Sequence, residues 1–317
     1  MNTPNPPAIF LMGATASGKT DLAIALSQHF PLEIVSVDSA LIYRGMDIGT
    51  AKPGKQTLAR YPHHLVDTHD PTESYSAAQF RDDALQLLHD ITNRGSIPLL
   101  VGGTFLYFRA LEYGLSPLPK ADANIRERLT NEAEESGWKA LHQRLQQLDP
   151  ESAKKIHHND PQRLQRALEV IEITGQPLSV LQQQGKTCTL PFKLLKMDTS
   201  LIDREYVRQR IALRFEQMMN DGLLDEVRAL HQQGNLSPDM PSIRSIGYRQ
   251  LWAYLEGQGT LDEAIEKAII ASRQYAKRQY TWLRREQNLL PISGQTAPAL
   301  DLATRYIKPL IKQTNRL

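Results

Sequence analysis

Gly13-Ala14-Thr15-Ala16-Ser17-Gly18-Lys19-Thr20 satisfies the phosphate-loop pattern G-x-x-x-x-G-K-[ST] and follows a strand-type apolar run, Ile9-Phe10-Leu11-Met12. Behind it, Leu22, Ala23, Leu26 and Ser27 fall at helical spacing, so strand, glycine-rich turn and helix are expected in the order such a loop requires. Glycines let successive backbone N–H groups converge on phosphate oxygens, and the following helix turns its positive end toward them. Lys19 adds a cation and Thr20 offers a hydroxyl to Mg²⁺. A di- or triphosphate is expected here, held by all eight residues. The reaction stays open, because kinases, NTPases and other transferases share the motif.

Outward from the loop, short apolar runs alternate with helical patterns. Strands are expected over Ala8 to Met12, Glu33 to Val37 and Ile97 to Val101, with helices over Thr20 to His29, Ala77 to Asn93 and Phe105 to Tyr113. This alternation predicts an α/β fold, a P-loop NTPase-like core with a parallel sheet covered on both faces, and ligands at the carboxyl ends of its strands. After Ser116-Pro117-Leu118-Pro119 the chain turns polar, Gln-rich and helical. Helix starts are marked by Asp122, Asp149-Pro150 and Asp160-Pro161, and stops by Gly137 and Gly175. A helical insertion is therefore expected over 120–187, between core segments 1–119 and 188–317. A short strand follows from Phe192 to Met197, and the rest is expected to be helical up to the C-terminal tail.

Composition narrows the function classes. With 37 Lys+Arg against 35 Asp+Glu, affinity for nucleic acid must come from a local patch and not from net charge. The single cysteine, Cys188, excludes an internal disulfide framework and a Cys-rich zinc site, and is expected to pack inertly. Met1 to Pro7 has no basic region, and the apolar run behind it stops at Gly13. No signal peptide or membrane span is expected, which points to a soluble, cytoplasmic protein. His63, His64, His157 and His158 have no spacing that compels a metal site.

Two further constellations fall at strand ends. The strand over Glu33 to Val37 runs into Asp38-Ser39-Ala40-Leu41, which sets a carboxylate beside the phosphate loop. Two roles stand for Asp38, a general base or a cap of the turn after the strand. The strand over Ile97 to Val101 runs into Gly102-Gly103-Thr104, where glycines allow close backbone approach and a hydroxyl can meet a ligand oxygen; a plain turn would look the same. Neither strand ends in an acid with a neighbouring Glu or Gln to orient water, so nucleotide hydrolysis is poorly supported. Near the C-terminus, Thr260-Leu261-Asp262-Glu263 is a capping box opening a helix that runs to about Arg285. Within Arg273 to Arg285 lie five basic residues, no acids, and Tyr275, Tyr280 and Trp282. That pattern suits a nucleic-acid backbone with stacking surfaces, or equally an amphipathic helix burying Tyr275, Trp282 and Leu283 under a solvated cationic face.

Several long motifs in order resemble the bacterial tRNA dimethylallyltransferase family. Besides the phosphate loop these are D-S-A-L-I-Y-R-G-M-D-I-G-T-A-K-P from Asp38 to Pro53, H-H-L-V-D from His63 to Asp67, and G-G-T-F-L-Y from Gly102 to Tyr107. They continue with D-P-Q-R-L-Q-R-A-L-E-V from Asp160, the R-F-x-x-M-x-x-x-G-L-x-x-E-V segment from Arg214 to Val227, S-I-R-x-x-G-Y-R-Q from Ser242 to Gln250, and K-R-Q-Y-T-W-L-R from Lys277 to Arg284. His158 stands where the family commonly has Pro, and Tyr280 where it often has Leu or Ile.

The resemblance implies transfer of a dimethylallyl group from dimethylallyl diphosphate to N6 of the adenosine 3′-adjacent to the tRNA anticodon, with release of pyrophosphate and Mg²⁺ held at Thr20. It implies that Asp38 takes the hydrogen bond or proton from N6, that Thr104 meets the bridging oxygen, and that Arg214 binds the phosphates; a surface helix arginine is the plainer alternative for the last. It places tRNA contacts at Asp38, Ser39, Ala40, Leu41, Thr104 and Arg126. It adds Gln162, Arg163, Leu164, Gln165 and Arg166; Arg244, Ser245, Ile246, Gly247, Tyr248, Arg249 and Gln250; and Lys277, Arg278, Gln279, Tyr280, Thr281, Trp282, Leu283 and Arg284. Gln162 and Arg166 share a helix face, which ranks them above Arg163. The anticodon stem-loop, dimethylallyl diphosphate and no membrane are the expected partners of a monomer. Two other functions use part of these features: a small-molecule kinase needs Lys19, Thr20 and an acid but not the basic helix, and an RNA-binding module leaves the diphosphate site unused.

Overall fold

The computed structural model describes residues 5–183, 190–200, 203–292 and 296–314. Cys188, the expected boundary at 187/188 and the first four residues lie outside them. The chain divides into two units, Met1–Leu111 with Pro191–Leu317, and Glu112–Leu190.

The first unit opens β1(Pro7–Met12), α1(Lys19–His29), β2(Leu32–Val37), α2(Lys55–Arg60), β3(His63–His64), α3(Ala77–Asn93), β4(Ile97–Gly102) and α4(Phe105–Tyr113). The second unit holds α5(Ala123–Ser136), α6(Trp138–Leu148), α7(Pro150–Ala153), α8(Pro161–Thr174) and α9(Leu178–Gln183). The first then resumes with β5(Lys193–Asp198), α10(Arg204–Asn220), α11(Leu223–Gln232), α12(Tyr248–Leu255), α13(Leu261–Leu283), β6(Leu289–Pro291) and α14(Thr296–Thr314). The expected strands and helices of the first 113 residues recur within two residues at each end. α2, β3, β6 and α14 were not anticipated. The last two correct the expectation of helix running into a tail: β6 is a three-residue strand at the sheet edge, and α14 carries Pro309 inside it.

All strand pairs are parallel, in the order β3-β2-β4-β1-β5-β6. Central β1 is flanked on both sides, with Leu11 opposite Val101 and Met197, which explains why its run is apolar throughout instead of alternating. On one face Ile9, Leu11 and Leu99 pack with Leu22 and Leu26 of α1 and Ala303 and Ile307 of α14. On the other, Phe10 meets Phe108 of α4, and Tyr107 stacks on Phe80 of α3 with ring centroids 4.5 Å apart. Each such fully buried apolar side chain contributes about 1.5–3 kcal/mol. Because the strands are parallel, the loops after β1, β2, β4 and β5 all leave from one edge of the sheet.

The helical unit has its own core of Leu129, Leu141, Leu145, Leu164 and Leu168. Its starts follow the expected caps: Asp122, Asp149 and Asp160 each accept backbone N–H groups of the next turn, with Pro150 and Pro161 opening α7 and α8. The division falls ahead of the change in composition near 119, because Leu118 packs on that core and the Pro119 carbonyl accepts from Arg166. No helix among the described residues is long and apolar enough to cross a membrane.

Candidate active site

The phosphate loop is shaped from behind. Gly13 lies where a Cβ would sit 2.2 Å from Thr199 Oγ1, so any other residue would push the loop off β5. Its N–H donates to the Gly102 carbonyl at 3.3 Å, that of Ala14 to Ser200 Oγ at 2.7 Å, and that of Thr15 to Gln279 Oε1 at 2.8 Å. Ser17 Oγ and Thr199 Oγ1 lie 2.7 Å apart. The expected eight-residue diphosphate set therefore narrows. Gly13 and Ala14 are buried with their N–H groups committed inside the protein, whereas Ala16, Ser17, Gly18, Lys19 and Thr20 line a cleft of about 420 Å³ together with Arg210 and Arg214. The first N–H groups of α1 have no intrahelical partner, and Gly18 takes the left-handed conformation, φ 84°, that lets the chain turn into the helix with those groups forward. Lys19 Nζ donates to the Ala14 carbonyl at 3.3 Å, and burial pushes its pKa down to about 8 against the pull of Asp38.

Asp38 fills the first of its expected roles, the cap of the turn, and keeps an oxygen free for the second. Its Oδ1 accepts from the N–H of Ala40 at 2.8 Å and of Leu41 at 3.4 Å, holding the turn after β2. Asp38 also lines a second cleft, of about 440 Å³, and its Oδ2 has no hydrogen-bond donor among the described residues. The Thr104 N–H donates to the Val37 carbonyl at 3.3 Å, which docks the Gly-Gly-Thr corner on the end of β2 beside Asp38. Thr104 Oγ1 is buried beside the Tyr275 hydroxyl, which itself donates to the Gly103 carbonyl at 3.4 Å, and Thr104 lines neither cleft.

The two clefts meet at Arg214, which lines both. Desolvation lowers its pKa, with Asp38 pulling the other way and Arg210 adding to the lowering. The second cleft is walled by Tyr43, Tyr75, Phe215 and Tyr275 and rimmed by exposed Arg244, Arg249 and Arg278. Thr15, Ser39, Ala40, Ser245 and Ile246 line it too. Burial, with Asp38 nearby, pushes the Tyr275 phenol up to about 12, so it stays a neutral donor.

Other expected contact residues take structural roles. Tyr248 is fully buried, and its hydroxyl donates to Glu226 Oε1 at 2.6 Å. The Glu226 carboxylate also accepts the backbone N–H groups of Asp47, Ile48 and Gly49 at 2.8 to 3.1 Å, so it fixes the loop that leads away from Asp38. Gly247 is buried at the start of α12, and Gln250 Oε1 accepts its N–H to cap that helix. Leu164 and Leu283 lie in hydrophobic interior, and Gln279 is 3% exposed. Leu41 is half-buried and lines neither cleft. Among these, Leu164, Gly247, Tyr248, Gln279 and Leu283 are buried away from the surface where the resemblance placed RNA contacts.

On the helical unit, Gln162 and Arg163 are exposed, whereas Arg166 donates to Glu169 at 2.6 Å and to the Pro119 carbonyl at 2.6 Å. Arg126 donates to the same buried Glu169, and Gln165 donates to the Arg126 carbonyl and Thr130 Oγ1. Exposure thus reverses the geometric ranking of Arg163 and Arg166. On α13 and its C-cap Arg284, Lys277, Arg278, Thr281, Trp282 and Arg284 are exposed and Tyr280 is half-buried, with the Arg109 guanidinium 5.4 Å from the Trp282 ring centre. The amphipathic alternative holds for Leu283 and fails for Trp282.

Sequence reasoning missed Ser200, Thr199 and Arg210, gave no role to Glu226 although it is a fixed position of the Arg214–Val227 segment, and gave Gln279 an outward role. Arg210 carried a usable signal, since it stands one helical turn before Arg214, and Glu226 carried one through its motif position. Among the described residues there is no group of three or more His, Cys, Asp or Glu that could hold a metal. The donor set near Lys19 instead fits an ion that keeps several waters and takes its other ligands from phosphate, with Thr20 as the protein hydroxyl.

A family model described as IPP transferase matches residues 41–286. The chain is 57% identical over 280 residues to the tRNA dimethylallyltransferase of Thioalkalivibrio sulfidiphilus, covering 88% of each chain. It is 51% identical over 310 residues to that of Nitrosococcus oceani, covering 98% of this chain and 99% of the relative. Among solved structures it is similar to the tRNA isopentenylpyrophosphate transferase of Bacillus halodurans, with TM-score 0.71, 35% identity and 98% of both chains covered. A eukaryotic dimethylallyltransferase caught acting on tRNA gives TM-score 0.80 at 26% identity, over 97% of this chain and 80% of that one.

Proposed function

The chain belongs to the IPP transferase family, and we propose that it moves a dimethylallyl group from dimethylallyl diphosphate to N6 of the adenosine 3′-adjacent to the tRNA anticodon. It is a prenyltransferase acting on tRNA. The observation that carries the finer assignment is the meeting of two clefts at Arg214, one built on the phosphate loop and the other on Asp38.

The diphosphate sits against the helix-opening N–H groups, Lys19 and the two arginines, where fixed positive charge stabilises the pyrophosphate that grows as the allylic C–O bond breaks. Thr20 would hold Mg²⁺, whose charge adds to that stabilisation. Thr104, next to the Gly-Gly corner beside Asp38, is the hydroxyl for the bridging oxygen. The adenine leaves the anticodon loop, at less cost than from a duplex, and enters the aromatic cleft. Its exocyclic amine is a weak nucleophile because the lone pair is delocalised into the ring. Asp38 Oδ2 accepts one N6 hydrogen and so turns the nitrogen lone pair toward the allylic carbon; that pair forms the new C–N bond, pyrophosphate departs with the C–O electrons, and the surplus proton passes to Asp38. Exposed Arg163 and Gln162 on the helical unit, and Lys277, Arg278 and Arg284 on α13, follow the RNA backbone.

The test is direct. The protein is incubated with Mg²⁺, with dimethylallyl diphosphate or ATP as donor, and with tRNA or AMP as acceptor, and the digested nucleosides are weighed by mass spectrometry. A dimethylallyl adduct on adenosine from tRNA alone supports the assignment. Adduct on AMP, or phosphoryl transfer from ATP, replaces it.

A further inference from the structure

Gln279 is buried on α13, and its amide spans two segments that both touch the reaction. Oε1 accepts the Thr15 N–H of the phosphate loop at 2.8 Å, and Nε2 donates to the Gly103 carbonyl at 2.9 Å. The fit leaves no room: a Cβ on Gly103 would lie 2.3 Å from Nε2. A neutral amide offers one acceptor and one donor at this reach at any pH near neutrality. A carboxylate would set an oxygen against the Gly103 carbonyl, and an aliphatic side chain would leave a donor and an acceptor unpaired.

We propose that Gln279 is a positioning residue of the transfer: it locks the phosphate loop and the Gly103–Thr104 corner in one register, so that the leaving diphosphate and the hydroxyl for its bridging oxygen stay at fixed separation. The inference rests on the reaction proposed above. It makes the Gly-Gly pair and the glutamine one device, since the second glycine is what admits the amide. It also explains why a polar residue lies buried within the K-R-Q-Y-T-W-L-R segment, whose neighbours Lys277 and Arg278 are exposed.

The experiment compares wild type, Gln279→Leu and Gln279→Glu in single-turnover transfer at saturating tRNA and dimethylallyl diphosphate, with tRNA affinity measured separately and folding checked by circular dichroism. A register error near the reacting atoms is expected to lower the Gln279→Leu rate by about 10- to 100-fold. The affinity of that variant for tRNA should stay within about twofold of wild type. Gln279→Glu supplies the readout that packing alone would not move. Once protonated, its O–H replaces the lost Nε2 donor, so its rate relative to wild type should climb as the pH falls, while the Gln279→Leu ratio stays level. A normal rate in Gln279→Leu, a lost tRNA affinity with normal rate, or a pH-independent Gln279→Glu ratio overturns the inference. If Gln279→Leu does not fold, the pH arm decides alone. Absence of transfer by the wild type defeats the reaction itself and leaves the register question separate.

Discussion

Asp38 Oδ1 accepts the Ala40 N–H at 2.8 Å, so one carboxylate oxygen builds the turn after β2 and leaves its twin to the aromatic cleft. This division of labour sets what an amide can replace. In Asp38→Asn the carbonyl oxygen takes over the turn and the NH₂ group faces the cleft, where it cannot accept from N6. The rate at saturation should fall by at least about 10²-fold, with tRNA affinity and melting temperature near wild type. Asp38→Ala should lose the turn as well and melt lower. A near-normal single-turnover rate in Asp38→Asn would make Asp38 a cap alone.

Lys19 yields a pH dependence of defined sign. Burial holds its pKa at about 8, below the ordinary 10.5, and a bound diphosphate raises it by adding negative charge. Below pH 8 the amine is charged before and after binding. As the pH rises through about 8 the free enzyme loses the proton, and binding must take one up. Diphosphate affinity should therefore decline above about pH 8, by up to about tenfold per pH unit. Titration calorimetry in two buffers of different ionisation enthalpy reads the proton directly; no uptake at pH 9 would refute the coupling. For stability the sign is opposite: between pH 8 and 10.5 the unfolded chain holds the extra proton, so the desolvation penalty is full below pH 8 and fades as the pH rises. Lys19→Ala should abolish the pH-dependent uptake and cripple transfer while tRNA binding persists.

Local signals made most of the core legible. The phosphate loop, Asp38 and Gly102-Gly103-Thr104 each sit where a short apolar run meets turn residues, and such a junction can be read within a window of ten residues. Ser200, Glu226 and Gln279 act across the chain, on Ala14, Asp47 to Gly49 and Thr15, and a single polar residue in a helix or turn carries no mark of a partner that far away. β6 was hidden because its three residues gain strand identity only from pairing with β5. Leu164, Tyr248 and Leu283 are buried although the resemblance placed RNA contacts on them, because a motif shared across a family records structural and substrate-facing residues alike.

The exposed face of α13 predicts a salt effect. Lys277 and Arg284 stand seven residues apart and share a face, while Arg278 is turned by about 100° from Lys277. Replacing Lys277 and Arg284 together with Ala should weaken tRNA binding and reduce the log–log salt slope by about 0.7 to 0.9 for each lost phosphate contact. Dimethylallyl diphosphate affinity should be unchanged. An unaltered slope with intact circular dichroism would assign this face to solvent and move the RNA contacts to the helical unit.

Adjacent residues of one motif should separate in the last test. Tyr248 and Arg249 both belong to S-I-R-x-x-G-Y-R-Q, yet the first is fully buried with its hydroxyl on Glu226 and the second is exposed at the rim of the cleft. Tyr248→Phe removes one hydrogen bond to a charged group and should cost about 1.5–3 kcal/mol of stability, because Glu226 keeps three backbone donors and no charge is stranded. Its tRNA affinity should match wild type. Glu226→Ala should be worse, since it releases the N–H groups of Asp47, Ile48 and Gly49 at once and frees the loop that leads away from Asp38. Arg249→Ala should leave the melting temperature alone and weaken tRNA binding. Denaturant unfolding beside filter binding reads both quantities on each variant. Weakened tRNA binding in Tyr248→Phe at unchanged stability would return Tyr248 to the RNA surface and remove Glu226 from its place beneath the loop.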